Sequence, residues 1–254
     1  MIRDGDSELH SPQQYDHDIL DNSGDEIRLV RITDPQSTKV RLELQHAKLS
    51  ETASNQYEAL SYTWGDKHQE AQILINGKPF SVRQNLYQFL LQLKSACSED
   101  EPHSEWYWID QLSIDQRNIL ERNHQVSLMS QIYARASKVH IWLGGGNEDL
   151  AHRAMTFLNH LEDRDNNISA FLRGGTETHD KQSLRSLEQA MVNGWGNSRV
   201  NGTLKYSPKV ELADPKALNA LISNPYWTRL WIVQEIFLAR TIVVQWWYEH
   251  TVFE

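Results

Sequence analysis

Residues 106–143 read WYWIDQLSIDQRNILERNHQVSLMSQIYARASKVHIWL. Two short aromatic and apolar runs, Trp106–Asp110 and Lys138–Leu143, have the length and composition of buried strands. Between them Asn118, with Glu121 three residues on, resembles a capping box. It opens a helix expected to run to about Ala136, with Val126, Met129, Ile132 and Tyr133 turned inward. A strand, a helix and a second strand in this order make a crossover unit, which is right-handed when the strands are parallel.

The same alternation continues on both sides. Upstream, Ile27–Ile32 and Val40–Leu44 alternate with a period of two about an Asp34-Pro35 turn, which predicts a hairpin. Tyr57-Glu-Ala-Leu-Ser-Tyr-Thr63 suits a central strand, and Asn76-Gly77 joins Ile73–Ile75 to Phe80–Val82 as a second hairpin. Asn85 is expected to cap a helix whose Leu86, Phe89, Leu90 and Leu93 share one face. Downstream, Gly144–Gly146 ends a strand, and a helix bearing Leu150, Ala154, Phe157, Leu158 and Leu161 follows. Asp214-Pro215 and Asn224-Pro225 are helix starts, the second predicting a helix to about Ala239. Thr241–Trp246 reads as the last strand. The pattern predicts an α/β fold with a mostly parallel sheet flanked by helices. One domain over 27–254 is expected, with an N-terminal hairpin and a polar, partly helical insertion at about 163–214. Residues 1–26, with eight acids against Arg3, are expected to form an acidic flexible arm.

Composition narrows the function classes. The 254 residues carry 34 acids against 25 Lys and Arg, a net charge of −9 that disfavours nucleic acid and anionic membranes as partners. No run of about 18 apolar residues is present to span a membrane, and the acidic start is unlike a signal peptide. A cytoplasmic protein is expected. The lone Cys97 excludes an internal disulfide and multi-cysteine zinc sites, and His152 and His160 read as surface residues, so no metal is expected. Cys97 and His103 lie in a polar loop that gives them no shared geometry. The sequence has no P-loop, no Gly-x-Ser-x-Gly elbow and no His-Glu-x-x-His; Gly144–Gly146 lacks dinucleotide spacing and reads as a plain turn.

Three segments remain as candidates. In Ser61-Tyr-Thr-Trp-Gly-Asp66 a strand runs into a loop, and in a parallel sheet such loops line the ligand crevice. Ser61, Tyr62, Trp64, Gly65 and Asp66 are therefore placed to bind a ligand, or Tyr62 and Trp64 are packing aromatics. Asp110 lies at the end of the next strand, able to bind a ribose hydroxyl or to hold the turn. In Arg229-Leu-Trp-Ile-Val-Gln-Glu235, Trp231 and Glu235 are one helical turn apart and expected on one face. An acid in that apolar stretch needs a partner or its pKa rises; Arg229 is available.

Together the segments resemble the fungal heterokaryon-incompatibility (HET) domain. The resemblance lies in Leu60–Gly65, Trp108–Gln116, Glu121-Arg122, Gln125-Val126, Met129, Ile132-Tyr133, Trp142–Gly144 and Arg229–Glu235, in order over about 57–240. Ser113 and Asp115 stand where the family commonly has Cys and Asn. That family is in turn similar to Toll/interleukin-1 receptor (TIR) domains, with a flavodoxin-like sheet, and the Trp231-x-x-x-Glu235 helix resembles the TIR helix whose glutamate is catalytic in NAD+-cleaving members. The resemblance implies a cell-death effector of fungal allorecognition that cleaves NAD+ at the nicotinamide–ribose bond. Glu235 would be the catalytic carboxylate, and Ser61, Tyr62, Trp64, Gly65, Asp66, Asp110, Arg229 and Trp231 would bind the substrate. NAD+ would be substrate, with no cofactor. Self-association and an upstream recognition protein are implied as partners. The alternative is a non-catalytic self-assembly module. Glu235 open to a cleft beside Ser61 and Asp110 would favour the enzyme; Glu235 buried against Arg229 would favour the module.

Overall fold

The structure, a computed structural model, describes residues 13–52, 56–96, 105–162 and 214–253. The expected arm up to residue 12, Cys97, His103 and the polar stretch 163–213 lie outside them. Nine strands among the described residues form one sheet: β1 (Glu26–Ile32), β2 (Arg41–Lys48), β3 (Tyr57–Tyr62), β4 (Glu70–Ile75), β5 (Lys78–Arg83), β6 (Trp106–Trp108), β7 (Val139–Trp142), β8 (Ile242–Trp246) and β9 (Glu249–Phe253). Their order is β5-β4-β2-β1-β6-β3-β7-β8-β9. The helices are α1 (Gln84–Ala96), the single turn α2 (Asp110–Ser113), α3 (Ile119–Arg135), α4 (Glu148–Glu162), α5 (Pro215–Ile222) and α6 (Ile232–Phe237). The α/β class stands, but the sheet is mixed rather than mostly parallel. Parallel pairing holds for β6-β3-β7-β8 and for β2-β4, and both flanks pair antiparallel. No helix among the described residues is long and apolar enough to cross a membrane.

β3 is central because every one of its six residues is buried, as a strand covered on both faces must be. One face carries α1, whose Leu86, Phe89, Leu90 and Leu93 pack on Leu60, Tyr62, Tyr107 and Trp142. The other carries α3 over Tyr57, Ala59, Trp108 and Val139. Farther along, α4, α5 and α6 cover Ile141, Val244 and Trp246. Asn76 (φ 48°) and Gly77 (φ 81°) close the β4–β5 hairpin in the left-handed region that Asn-Gly adopts readily. The hairpin of β8 with β9, unexpected from sequence, turns through Trp247 at φ 56°.

On α3 the inward positions differ from expectation. Val126 faces outward and Met129 is half-buried, whereas Leu128, Glu121 and Gln125 are buried with Ile132 and Tyr133. The two polar residues go inside because each finds a partner. Gln125 Nε2 donates to Glu26 O at 2.8 Å, and Glu121 pairs with the fully buried Arg28 at 2.6 Å. Asn118 caps α3 by accepting from Glu121 N at 3.2 Å, but the reciprocal half of a capping box is not formed. Glu121 Oε1 instead accepts from Asp115 N at 2.6 Å.

The same Arg28 fastens the N-terminal segment. It donates to Ser113 O at 3.0 Å and to Asp18 O. Tyr15 N bonds Pro79 O at 2.8 Å and His17 Nε2 donates to Leu112 O at 2.7 Å. Residues 13–25, expected as part of a flexible arm, therefore lie strapped across the sheet edge and α2, because Tyr15 and Leu20 are buried anchors among the acids.

Glu58 on β3 is a buried acid with two partners, His140 Nε2 at 2.6 Å and Lys138 Nζ at 3.1 Å. Burial alone would raise its pKa, but the hydrogen bonds and charges of His140 and Lys138 outweigh it and hold the carboxyl down to about 2. The folded value lies below the unfolded one. Its stabilisation is therefore complete above the ordinary glutamate value and lost as pH falls toward 2. Glu58→Gln is expected to cost about 2–3 kcal/mol near neutral pH. Denaturant unfolding followed from pH 7 to pH 2 should show the gap between variant and wild type closing as the pH falls.

Candidate active site

The carboxyl ends of β3, β6 and β7 lie together, where open α/β sheets bind ligands. One structural device fixes the loops there. Asn85, expected as a helix cap, sits inside α1, and its side chain bridges two strand ends. Its Nδ2 donates to Thr63 O at 2.6 Å and its Oδ1 accepts from Trp142 Nε1 at 2.9 Å. Gly65 (φ +75°) and Gly144 (φ +96°) pass close beside it, and a Cβ on Gly144 would stand 3.2 Å from Asn85 Oδ1. Gly145 lies under Trp247, so the Gly144–Gly146 run is a tightly packed turn.

Residues 224–239 do not form one helix. Asn224 accepts from Tyr226 N and opens a 3-10 turn over Pro225–Thr228. Arg229 is extended (φ −73°, ψ 134°), and α6 begins only at Ile232, with Trp231 as its cap. The break lets side chains six residues apart meet. Arg229 Nη2 donates to Glu235 Oε1 at 3.0 Å and Nη1 to Oε2 at 3.1 Å, a bidentate pair. Ser61 Oγ donates to Glu235 Oε2. Its single proton so used, Ser61 accepts from Tyr226 OH at 2.6 Å and from Arg229 Nη1 at 3.2 Å. The four groups close on one another, and Glu235 has 0% exposure.

Electrostatics follow from that burial. Burial raises the Glu235 pKa, and the Arg229 charge and the Ser61 hydrogen bond only partly offset it. For Arg229 the order is reversed in effect: burial would lower its pKa, yet the carboxylate of Glu235 leads the charges that raise it. Asp110, neighbour to both, is also raised by burial despite the hydrogen bond from Trp64 and the charge of Arg229. Trp64 Nε1 donates to Asp110 Oδ2 at 2.7 Å, and Gln111 N to Oδ1 at 2.7 Å.

The predicted site residues thus divide. Ser61, Arg229 and Glu235 form one cluster, with Asp110 and Trp64 beside it. Tyr62 is buried in the core, its OH 3.4 Å from Gln111 Oε1. Gly65 shapes the loop, and Asp66 is exposed, accepting from His68 N at 2.9 Å as a turn former. Trp231 is 47% exposed while Glu235 is buried, so the two do not share a face. Trp231 sits at the cap, where the chain is still turning into α6. Tyr226 was not foreseen as a site residue. Its place directly after the Asn224-Pro225 start, three residues before Arg229, is the signal that marks it.

Residues 57–235 match the family model described as heterokaryon incompatibility protein (HET). The chain belongs to this family. The match runs from the first residue of β3 to Glu235, so it encloses the Ser61–Glu235 cluster. The HET domain is also 32% identical over 110 residues to heterokaryon incompatibility protein 6, OR allele, of Neurospora crassa. That similarity covers 40% of this chain and only 16% of the relative. No solved structure matches. The relative's name places that protein in heterokaryon incompatibility. Ser113 and Asp115 hold the backbone at and just after α2. Ser113 Oγ accepts from Ile109 N at 3.1 Å, and Asp115 Oδ1 accepts from Arg117 N at 3.0 Å.

Proposed function

We propose that this domain causes cell death by cleaving the nicotinamide–ribose bond of NAD+, and that the arrangement described is its closed form. The observation that supports this is the placing of a carboxylate, Glu235, with Ser61 and beside Asp110 at the carboxyl ends of parallel strands. Resemblance to the TIR domains adds the reaction. In the cleavage, the C1′–N bond breaks and its electron pair leaves with nicotinamide, which departs neutral. The positive charge left on the ribosyl centre is what the site must stabilise, as at other glycosidic bonds. A fixed carboxylate does so in a dry site. Water then attacks C1′, forming the C1′–O bond, and its proton passes to solvent. The substrate's own positive charge takes the place that the Arg229 guanidinium fills in the closed form.

Glu235 is sealed by Arg229, Ser61 and Tyr226, so it does not face an open cleft as expected of an enzyme. The reaction therefore requires Arg229 to move, and its side chain is 22% exposed. The seal itself favours a second reading. There the pair only holds α6 to β3, and the domain signals by self-assembly through the exposed Leu230, Trp231 and Phe237.

Incubation of the concentrated protein with NAD+ separates the two. Nicotinamide release by wild type is expected, with a loss of about 10²-fold or more in Glu235→Gln. Equal release by both would keep the enzyme and discard Glu235. No release from folded, self-associating protein would leave the assembly module.

A further inference from the structure

We propose that Arg83, laid over the indole of Trp64, is a phosphate subsite beside the Arg229–Glu235 pair, so that the ligand of this site is a phosphate-bearing nucleotide. The location rests on the NAD+ reading; the evidence for the subsite is separate from it. Arg83 ends β5, and its Cζ stands 4.8 Å from the Trp64 ring centroid. Its Nη1 donates to Gly65 O at 2.9 Å. The ring contact and one hydrogen bond hold the guanidinium over the indole.

A carboxylate is available to Arg83, yet the two are not joined. Glu70 stands directly opposite it in the β4–β5 register, where opposite charges pair favourably. Arg83 turns to the indole and the Gly65 carbonyl instead, and no ion pair to it is formed among the described residues. In a chain with 34 acids and 25 Lys and Arg, a half-buried arginine left without a carboxylate is an unspent cation. A guanidinium has five N–H donors in a planar fork that matches phosphate oxygens, and only one is committed to Gly65.

Of the nearby acids, the exposed Glu70 opposite Arg83 opposes an anion across solvent, while the other two have hydrogen-bond donors of their own. Asp110 is occupied by Trp64 Nε1 and Gln111 N, and Asp66 by its own turn. Lys67, exposed on the same loop, adds a second cation. Trp64 links the subsite to the cluster: its face carries Arg83 and its Nε1 holds Asp110, which in turn feels the charge of Arg229. A dinucleotide could then place its ribosyl centre toward Glu235 and its phosphates over Trp64.

Calorimetric titration with ADP-ribose and with adenosine tests this on wild type, R83Q and R83K. Wild type is expected to bind ADP-ribose, and R83Q to bind it at least tenfold more weakly, with adenosine unaffected. R83K should recover only part, since an ammonium keeps the charge without the planar fork. With NAD+ as substrate, R83Q should raise KM more than it lowers kcat. ADP-ribose binding by R83Q equal to wild type, or none by wild type, overturns the subsite. Arg83-dependent binding without nicotinamide release keeps the subsite and removes the cleavage reading. Release with an unchanged KM in R83Q does the reverse. Coincident thermal unfolding of the three proteins confirms that binding, not folding, is compared.

Discussion

Replacing Arg229 by methionine is expected to destabilise the fold by about 3–5 kcal/mol, because it leaves Glu235 buried without its counter-charge. Solvent has little access to compensate, since Glu235 has 0% exposure. The loss should depend on pH. Burial already holds the Glu235 pKa above its ordinary value with Arg229 present, and without Arg229 it must rise further. A group with a raised folded pKa contributes most below its unfolded pKa and loses that contribution as pH rises through the folded value. The deficit of Arg229→Met should therefore be small in mild acid and grow toward neutral pH, read as denaturation midpoints across that interval. Adding Glu235→Gln to Arg229→Met should recover part of the loss, since no charge is then stranded. A pH-independent deficit would mean that Glu235 is not the group left behind.

The second large effect is expected at Arg28. It is fully buried and makes contacts to Glu121, Ser113 O and Asp18 O. Arg28→Met strands Glu121 and leaves two carbonyls without their donor, at a cost of about 3–5 kcal/mol. The variant differs from Arg229→Met in where the damage appears. Residues 13–25 lose their tie to α2, so limited proteolysis should cut that segment first and hydrogen exchange should quicken there before the core opens. Unchanged protection over residues 13–25 would show that Tyr15 and Leu20 hold the strap unaided.

These two arginines mark the border of what the sequence discloses. Periodicity reports which face of an element is apolar, and it placed Leu86, Phe89, Leu90 and Leu93 correctly on the buried side of α1. It cannot report a polar residue that is buried because its partner lies far along the chain. Arg28 and Glu121 are 93 residues apart and Gln125 and Glu26 are 99 apart, so Glu121 and Gln125 give no inward signal on α3. Asn76-Gly77 was legible because its turn is local. The turn at Trp247 was not, because a tryptophan in the left-handed region has no compositional mark. In the site, Ser61, Arg229 and Glu235 were readable as motifs, whereas the break at Arg229 was not. Asn224-Pro225 and the apolar run after it favour one continuous helix, and only the ion pair with Glu235 and the bond to Ser61 explain the interruption. That interruption is also why Trp231, one turn from Glu235 in a regular helix, ends on the surface.

The tie between Ser61 and Glu235 spans 174 positions, and that span sets a clock on synthesis. At roughly 5–20 residues per second, Glu235 follows Ser61 from the ribosome by about 9–35 s. Through that interval β3 is already made and the Ser61 hydroxyl has no carboxylate to meet, and once β7 has emerged its edge stays bare until β8 follows. Contacts so distant in sequence also slow the closing search once the chain is free. A nascent HET domain therefore passes through a prolonged stage with an open strand edge, the stage at which a chaperone has most to cover. Its capacity to aggregate should be greatest between the emergence of β7 and that of β8.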